Sequence, residues 1–149
     1  MHHATSAQNG TLSIEGVTLE TIATQFGTPC YVYSKAAISA NFLAYQAALA
    51  KKNHLICYAV KANSNLAVLQ TMAQLGAGFD IVSVGELECV LRAGGDPAKV
   101  VFSGVAKTAS DMTRALELGI HCFNVESTAE LVLLNIISQA CGKTPPVSL

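Results

Sequence analysis

The chain has 149 residues, 51% of them hydrophobic and 13% charged, with a net charge of −1. That balance supplies a sizeable core and excludes a disordered polymer. The near-neutral charge gives no basic footprint for nucleic acid or for an anionic membrane. Five cysteines, Cys30, Cys57, Cys89, Cys122 and Cys141, are scattered and mostly within apolar runs. They fit neither a zinc site nor a disulfide framework, so reduced, buried thiols in a cytoplasmic protein are expected. No apolar run reaches the roughly 20 residues that span a bilayer, and the first ten residues lack the apolar core of a secretory leader. His2 and His3 read as part of a solvated terminus rather than as metal ligands.

In chain order, residues 11–17 alternate weakly and read as one edge strand, and residues 19–26 as a short helix that Gly27 stops. Thr28-Pro29 breaks the chain before a short strand at 30–33. Ser34 is an N-cap for a helix to about Lys52, with Ala37, Ile38, Phe42, Tyr45, Ala48 and Leu49 on one face. The run His54-Leu55-Ile56-Cys57-Tyr58-Ala59-Val60 is too short for a helix and too apolar for a loop, so it reads as a buried strand with Lys61 at its end. Asn63-Ser64-Asn65 then supplies cap and turn residues for a helix over 65–75, on which Leu66, Val68, Leu69 and Met72 recur at helical spacing.

From there strand and helix alternate: a strand at 79–82, a helix over 85–93 capped by Ser83, a strand at 100–103, a helix over 109–118, a strand at 121–125 and a helix to about 140. Thr108 with Asp111 and Ser127 with Glu130 have the spacing of capping boxes. Gly76-Ala77-Gly78 precedes a strand and reads as a helix stop, whereas a dinucleotide loop follows one. No Walker loop, zinc spacing or nucleophile elbow is present. Continuous apolar strands between helices indicate a parallel sheet in an α/β fold, either doubly wound or a (β/α)₈ barrel. A barrel typically takes about 250 residues, and residues 145–149 read as the start of a further strand. On the barrel reading the chain is therefore the first part of one, incomplete at its C-terminus.

Lys61 is the residue best placed for chemistry. At a strand end between Val60 and Ala62 its ammonium is expected to be partly desolvated, which favours the neutral amine that attacks a carbonyl to form a Schiff base. The plainer alternative is a lysine that reaches water where its strand ends. Ser103 and Asn124 also fall at strand ends, but short polar residues there serve as ordinary caps and turns, and neither is assigned a role. His54 and His121 stand at strand beginnings, the structural end of such a barrel, and are expected to be solvated or hydrogen-bonded.

The block Tyr58-Ala59-Val60-Lys61-Ala62-Asn63, followed by Val68-Leu69, Met72 and Gly76, resembles the pyridoxal-phosphate attachment signature of the fold-type III decarboxylases, whose barrel is of the alanine racemase-like kind, and most closely that of the diaminopimelate decarboxylases. The likeness continues through Gly78-Phe79-Asp80-Ile81-Val82-Ser83-Val84-Gly85-Glu86-Leu87, Val101-Phe102-Ser103-Gly104 and Asn124-Val125-Glu126-Ser127, and so covers nearly all of the chain from Thr28 onward. Val84 departs from the smaller residue of many members. The resemblance implies that residues 1–28 join a β-domain and that residues 29–149 form the first part of the pyridoxal-phosphate-binding barrel. It implies that Lys61 holds pyridoxal 5'-phosphate as a Schiff base, which an amino-acid substrate displaces before the cofactor takes up electrons as carbon dioxide leaves. Ala59 matches a position whose backbone lies beside the cofactor. Asp80, at the end of the next strand, matches an acid close to the Schiff base, where a carboxylate favours the protonated imine. Glu86 is an outer candidate only, because a capping box with Ser83 already accounts for it.

The reaction implied is decarboxylation of meso-2,6-diaminopimelate to L-lysine, in lysine biosynthesis, by a cytoplasmic homodimer with no metal, nucleic-acid or membrane partner. Ornithine, arginine and carboxynorspermidine decarboxylases, racemases of the same fold and a non-catalytic carrier of pyridoxal phosphate remain open. The family's phosphate-binding glycines, ring-stacking histidine, pyridine-pairing acid and partner-subunit cysteine lie beyond residue 149.

Overall fold

The computed structural model describes the backbone of residues 5–8 and 10–149 and the side chains from residue 10 onward, so His2 and His3 lie outside the described residues. The chain packs as two units, residues 1–51 and 52–149.

In the first unit β1 (Thr5–Gln8), β2 (Thr11–Ile14) and β3 (Val17–Thr18) form an antiparallel sheet in that order. The single strand expected over 11–17 is therefore two. Glu15 and Gly16 take φ of 50° and 82°, the paired positive values of a tight hairpin, and Ile14 comes to face Val17. Helix α1 (Leu19–Phe26) follows, its Thr18 cap accepting from Thr21 N at 3.1 Å. The strand expected at 30–33 does not form. No described strand pairs with it, and Tyr31 is 93% exposed, so the segment has no ladder to satisfy its backbone.

Helix α2 (Lys35–Leu49) is capped by Ser34, whose hydroxyl accepts from Ala37 N at 3.0 Å and donates to Glu15 Oε1 at 2.5 Å. Glu15 Oε1 also accepts from Ala36 N at 2.8 Å. The hydroxyl and then the amide hold the Glu15 carboxyl below its usual 4.5. A carboxylate whose pKa is lowered by folding adds stability above its unfolded pKa and loses it as pH falls through the folded one. Between pH 5 and 3 the first unit should lose stability, and Glu15→Gln should flatten that slope in thermal melts; an unchanged slope would remove Glu15 as its source.

In the second unit β4 (Cys57–Ala59), α3 (Leu66–Gln74), β5 (Gly78–Ile81), α4 (Val84–Arg92), β6 (Val100–Phe102), α5 (Ala109–Leu118), β7 (Cys122–Asn124), α6 (Thr128–Ala140) and β8 (Val147–Ser148) alternate, and the five strands run parallel in the order β4-β5-β6-β7-β8. A doubly wound sheet reverses its strand order at a switch point. Strictly sequential order instead makes this an arc of a (β/α) barrel.

Register separates the two faces. Tyr58, Phe79 and Val100 form one row and Ile81, Phe102 and Phe123 another. Five of these six are fully buried, with Leu69, Leu87, Met112 and Leu134 from the four helices. Phe102 and Phe123 stack with centroids 5.9 Å apart. The alternate residues Ala59, Asp80, Val101 and Cys122 line up across four strands and stay half-buried on the other face. Gly78 allows β5 to approach so closely: a Cβ there would lie 2.5 Å from the Lys99 carbonyl oxygen and 2.8 Å from Cys57 Sγ. Since one contact is backbone and cannot rotate away, Gly78→Ala should cost about 1–3 kcal/mol in chemical denaturation.

Candidate functional site

The apolar run before Lys61 yields a strand of only three residues, because only Cys57, Tyr58 and Ala59 find register partners on β5. The next three, Val60–Ala62, wind into a 3₁₀ turn. Val60 takes the buried position, fully inaccessible, and Lys61 is carried past the last ladder into an exposed one. The expected desolvation of Lys61 does not occur; the alternative of a lysine that reaches water describes its side chain. Two polar contacts hold the turn. Tyr58 Oη donates to the Asn63 carbonyl at 3.2 Å, and Asn65, which caps α3 through Ala67 N at 2.9 Å, donates its own amide to Asn63 Oδ1 at 3.0 Å.

Asp80 lies opposite Ala59 in the β4–β5 register, so the sheet puts the carboxylate beside the strand that leads to Lys61. Asp80 is tied to two further strand ends. Ser103, the residue after β6, donates its hydroxyl to Asp80 Oδ1 at 2.5 Å, and Asn124, the last residue of β7, donates Nδ2–H to Ser103 Oγ at 2.9 Å. The sequence alone assigns neither of them a role. The signal that links them is their shared strand-end register, which needs the strand order before it can be read.

Glu86 falls where its capping role requires. Ser83 Oγ accepts from Glu86 N at 3.2 Å, and Glu86 Oε2 accepts from Val82 N at 2.8 Å. Its carboxylate thus reaches one residue beyond the Ser83 amide that a full box would use.

Nothing adjacent in sequence marks Lys107, yet its side chain has no accessible surface. Its three N–H groups are all used: Nζ donates to the Gly104 carbonyl at 2.8 Å, the Asn124 carbonyl at 2.8 Å and Glu130 Oε1 at 2.7 Å. It also sits 5.8 Å from the centroid of the Phe102 ring. The box expected of Ser127 and Glu130 is accordingly half made. Ser127 accepts from Glu130 N at 3.2 Å, but the Glu130 carboxylate goes to Lys107 and to Glu126 N. Gly104, at φ 95°, turns the chain after Ser103 and points its N–H at Glu126 Oε1, 3.1 Å away.

The cysteines are not buried as expected. Cys30 is exposed and the other four are half-buried, all of them free thiols. Burial and then the nearby Asp80 charge push up the Cys57 thiol, with Cys122 a smaller influence, and the same two causes in the same order push up Cys122. Asp80→Asn removes the charge but not the burial. It should speed alkylation of Cys57 and Cys122 at pH 8 by roughly twofold or more, read by peptide mass spectrometry against Cys30; equal rates would place the Asp80 charge elsewhere. His54 and His121 are exposed at the opposite strand ends, His54 Nδ1 lying 2.8 Å from the Lys52 carbonyl oxygen. No group of three or more potential metal ligands occurs among the described residues. An apolar cavity of about 500 Å³ lies in the first unit between Ile14, Val17, Ile22, Phe26 and Tyr31. Its one carboxylate, Glu15, is already engaged by Ser34 and Ala36.

A primary amine in the turn after one strand and a carboxylate on the next strand, at the carboxyl ends of a parallel sheet, form a donor set suited to an aldehyde cofactor. Residues 35–148 match the family described as pyridoxal-dependent decarboxylase, pyridoxal binding domain. The chain belongs to this family. It is 62% identical over 144 residues to the diaminopimelate decarboxylase of Pseudomonas aeruginosa, covering 97% of this chain and 35% of that protein. It is 58% identical over 142 residues to the diaminopimelate decarboxylase of Vibrio cholerae, covering 95% and 34%. Among solved structures, the diaminopimelate decarboxylase of M. jannaschii in complex with L-lysine superposes with a TM-score of 0.93 at 35% identity, over 97% of this chain and 35% of that one. The chain thus spans about a third of the length of these relatives, and its sheet is part of the alanine racemase-like barrel of the family. A pyridoxal-dependent decarboxylase requires pyridoxal phosphate, and Lys61 and Asp80 are the groups here whose chemistry fits it. Among the described residues no helix is long and apolar enough to cross a membrane.

Proposed function

We propose that these residues are the N-terminal, cofactor-anchoring portion of a diaminopimelate decarboxylase, which converts meso-2,6-diaminopimelate to L-lysine and carbon dioxide. The observation that carries the reading is the β4–β5 register, which sets Asp80 opposite Ala59 two residues before Lys61, within a segment 62% identical to an enzyme of that name. In this reading the Lys61 amine is the covalent anchor of the cofactor. Ala59, by its small side chain, leaves room for a planar ring, and the Asp80 carboxylate orients the positive charge that forms at the anchored nitrogen. Glu86 acts at one remove, fixing the Val82 amide at the end of β5. Pyridoxal phosphate, when bound, supplies the sink for the electron pair of the breaking bond between Cα and the carboxylate. Residues 1–28 belong with a β-domain and residues 29–149 with the cofactor-binding barrel. The working protein is a cytoplasmic homodimer that binds a small amino acid and neither nucleic acid nor membrane, in keeping with a net charge of −1.

The test is a substrate panel on the intact gene product. Carbon dioxide and L-lysine should form from meso-2,6-diaminopimelate and not from ornithine or arginine. Turnover of ornithine or arginine instead would replace this assignment with another decarboxylase of the same fold, and cofactor binding without turnover would leave a carrier. The purified 149-residue chain by itself should release no carbon dioxide, since Lys61 is the one covalent anchor this reading assigns among the described residues.

A further inference from the structure

We propose that Ser103 and Asn124 are positioning residues for Asp80: a directed hydrogen-bond chain across three consecutive strand ends fixes which way the Asp80 carboxylate faces. The inference rests on the reading of Asp80 as the companion of Lys61. Direction follows from the inventory of donors. An amide Nδ2 only donates, so at 2.9 Å from Ser103 Oγ it makes that oxygen an acceptor. The hydroxyl has one proton, which goes to Asp80 Oδ1 at 2.5 Å. The chain therefore runs from Asn124 to Ser103 to Asp80. The bond turns Oδ1 toward Ser103, which leaves Oδ2 the oxygen with no donor from this chain of hydrogen bonds.

The far end of the chain does not float. The Asn124 carbonyl accepts from buried Lys107 at 2.8 Å, and Asn124 pairs in register with Ser148 of β8. Without the chain, a half-buried aspartate would be free to change rotamer, and its charge would be spread over several directions. The titratable groups in register on the same face are Cys57 on β4 and Cys122 on β7; Lys61 follows Ala59 by two residues, in the turn after β4. The two thiols already register the Asp80 charge. Neither Ser103 nor Asn124 bonds to Lys61, so both act through Asp80.

The decisive experiment is a spectral pH titration of the pyridoxal-phosphate-loaded protein. Asp80→Ala should lower the pH midpoint at which the visible band of the Lys61-bound cofactor changes by about one unit, the usual effect of losing a nearby carboxylate. Ser103→Ala should give at least half of that fall, Asn124→Leu a smaller fall in the same direction, and Ser103→Thr, which keeps the hydroxyl, the parent midpoint. If Asp80→Ala moves the midpoint while Ser103→Ala and Asn124→Leu do not, the positioning chain is overturned and the role of Asp80 stands. If Asp80→Ala leaves the midpoint in place, the role of Asp80 falls and the chain with it. A cofactor-free readout uses the 149-residue chain. Asp80→Ala should displace the Asn124 side-chain amide resonances although the two residues share no bond, and a Ser103→Ala background should abolish that displacement. Asn124 resonances that ignore Asp80→Ala would also overturn the chain.

Discussion

On the proposed function, Lys61→Ala should abolish covalent retention of pyridoxal phosphate and lower decarboxylation by the intact protein at least about 10³-fold, because the anchoring amine and a proton-transfer group would be lost together. Borohydride reduction of the loaded protein, followed by peptide mapping, should place the cofactor on the peptide containing Lys61 and leave the variant unlabelled. Lys61→Arg should not rescue, since a guanidinium stays protonated and cannot serve as the nucleophile. A small exogenous amine should restore part of the turnover in Lys61→Ala. The rival anchor is Lys107, the other lysine near the mouth of the sheet, and its geometry excludes it. Its side chain is inaccessible and its three N–H groups are spent on Gly104, Asn124 and Glu130, whereas Lys61 is exposed. Label found on Lys107 in place of Lys61 would overturn the assignment of the anchor.

The contrast between the two lysines shows what could be read from the sequence and what could not. Lys61 stands out because it ends an apolar run and begins a cap, features carried by adjacent residues. The alternation of strands and helices, the Thr108–Asp111 box and the caps at Ser34, Ser83 and Ser127 are local in the same way, and the structure reproduces them. Lys107 lies in a loop between Ala106 and Thr108, where nothing nearby shows that it is buried. Its acceptors come from residues as far away as Glu130 and assemble only when β6, β7 and α6 pack together. The link from Asp80 to Ser103 and Asn124 is hidden for the same reason, Ser103 and Asn124 each having a sufficient local explanation as a cap or turn. The strand misread at 30–33 fails conversely. Its composition suits a strand, but strand formation depends on a partner, which composition does not report.

Lys107 carries the second large effect, and it falls on stability. Lys107→Met keeps much of the side-chain volume but leaves the Glu130 carboxylate, 9% exposed, and two backbone carbonyls without their donor. Removing one partner of a buried pair typically costs about 3–5 kcal/mol. Against a total of about 5–15 kcal/mol for a domain, that is a fall of roughly 6–20 °C in Tm at this chain length. Lys107→Arg should recover little, because a planar fork does not match three acceptors that converge on one nitrogen. The double variant Lys107→Met/Glu130→Met should be more stable than Lys107→Met, since it removes the stranded charge, yet remain below the parent because the Gly104 and Asn124 carbonyls are still unpaired. Urea denaturation of the four proteins separates these terms. A Lys107→Met variant within about 1 kcal/mol of the parent would mean that the cluster contributes no net stability, and that Asn124 is held by its β8 register alone.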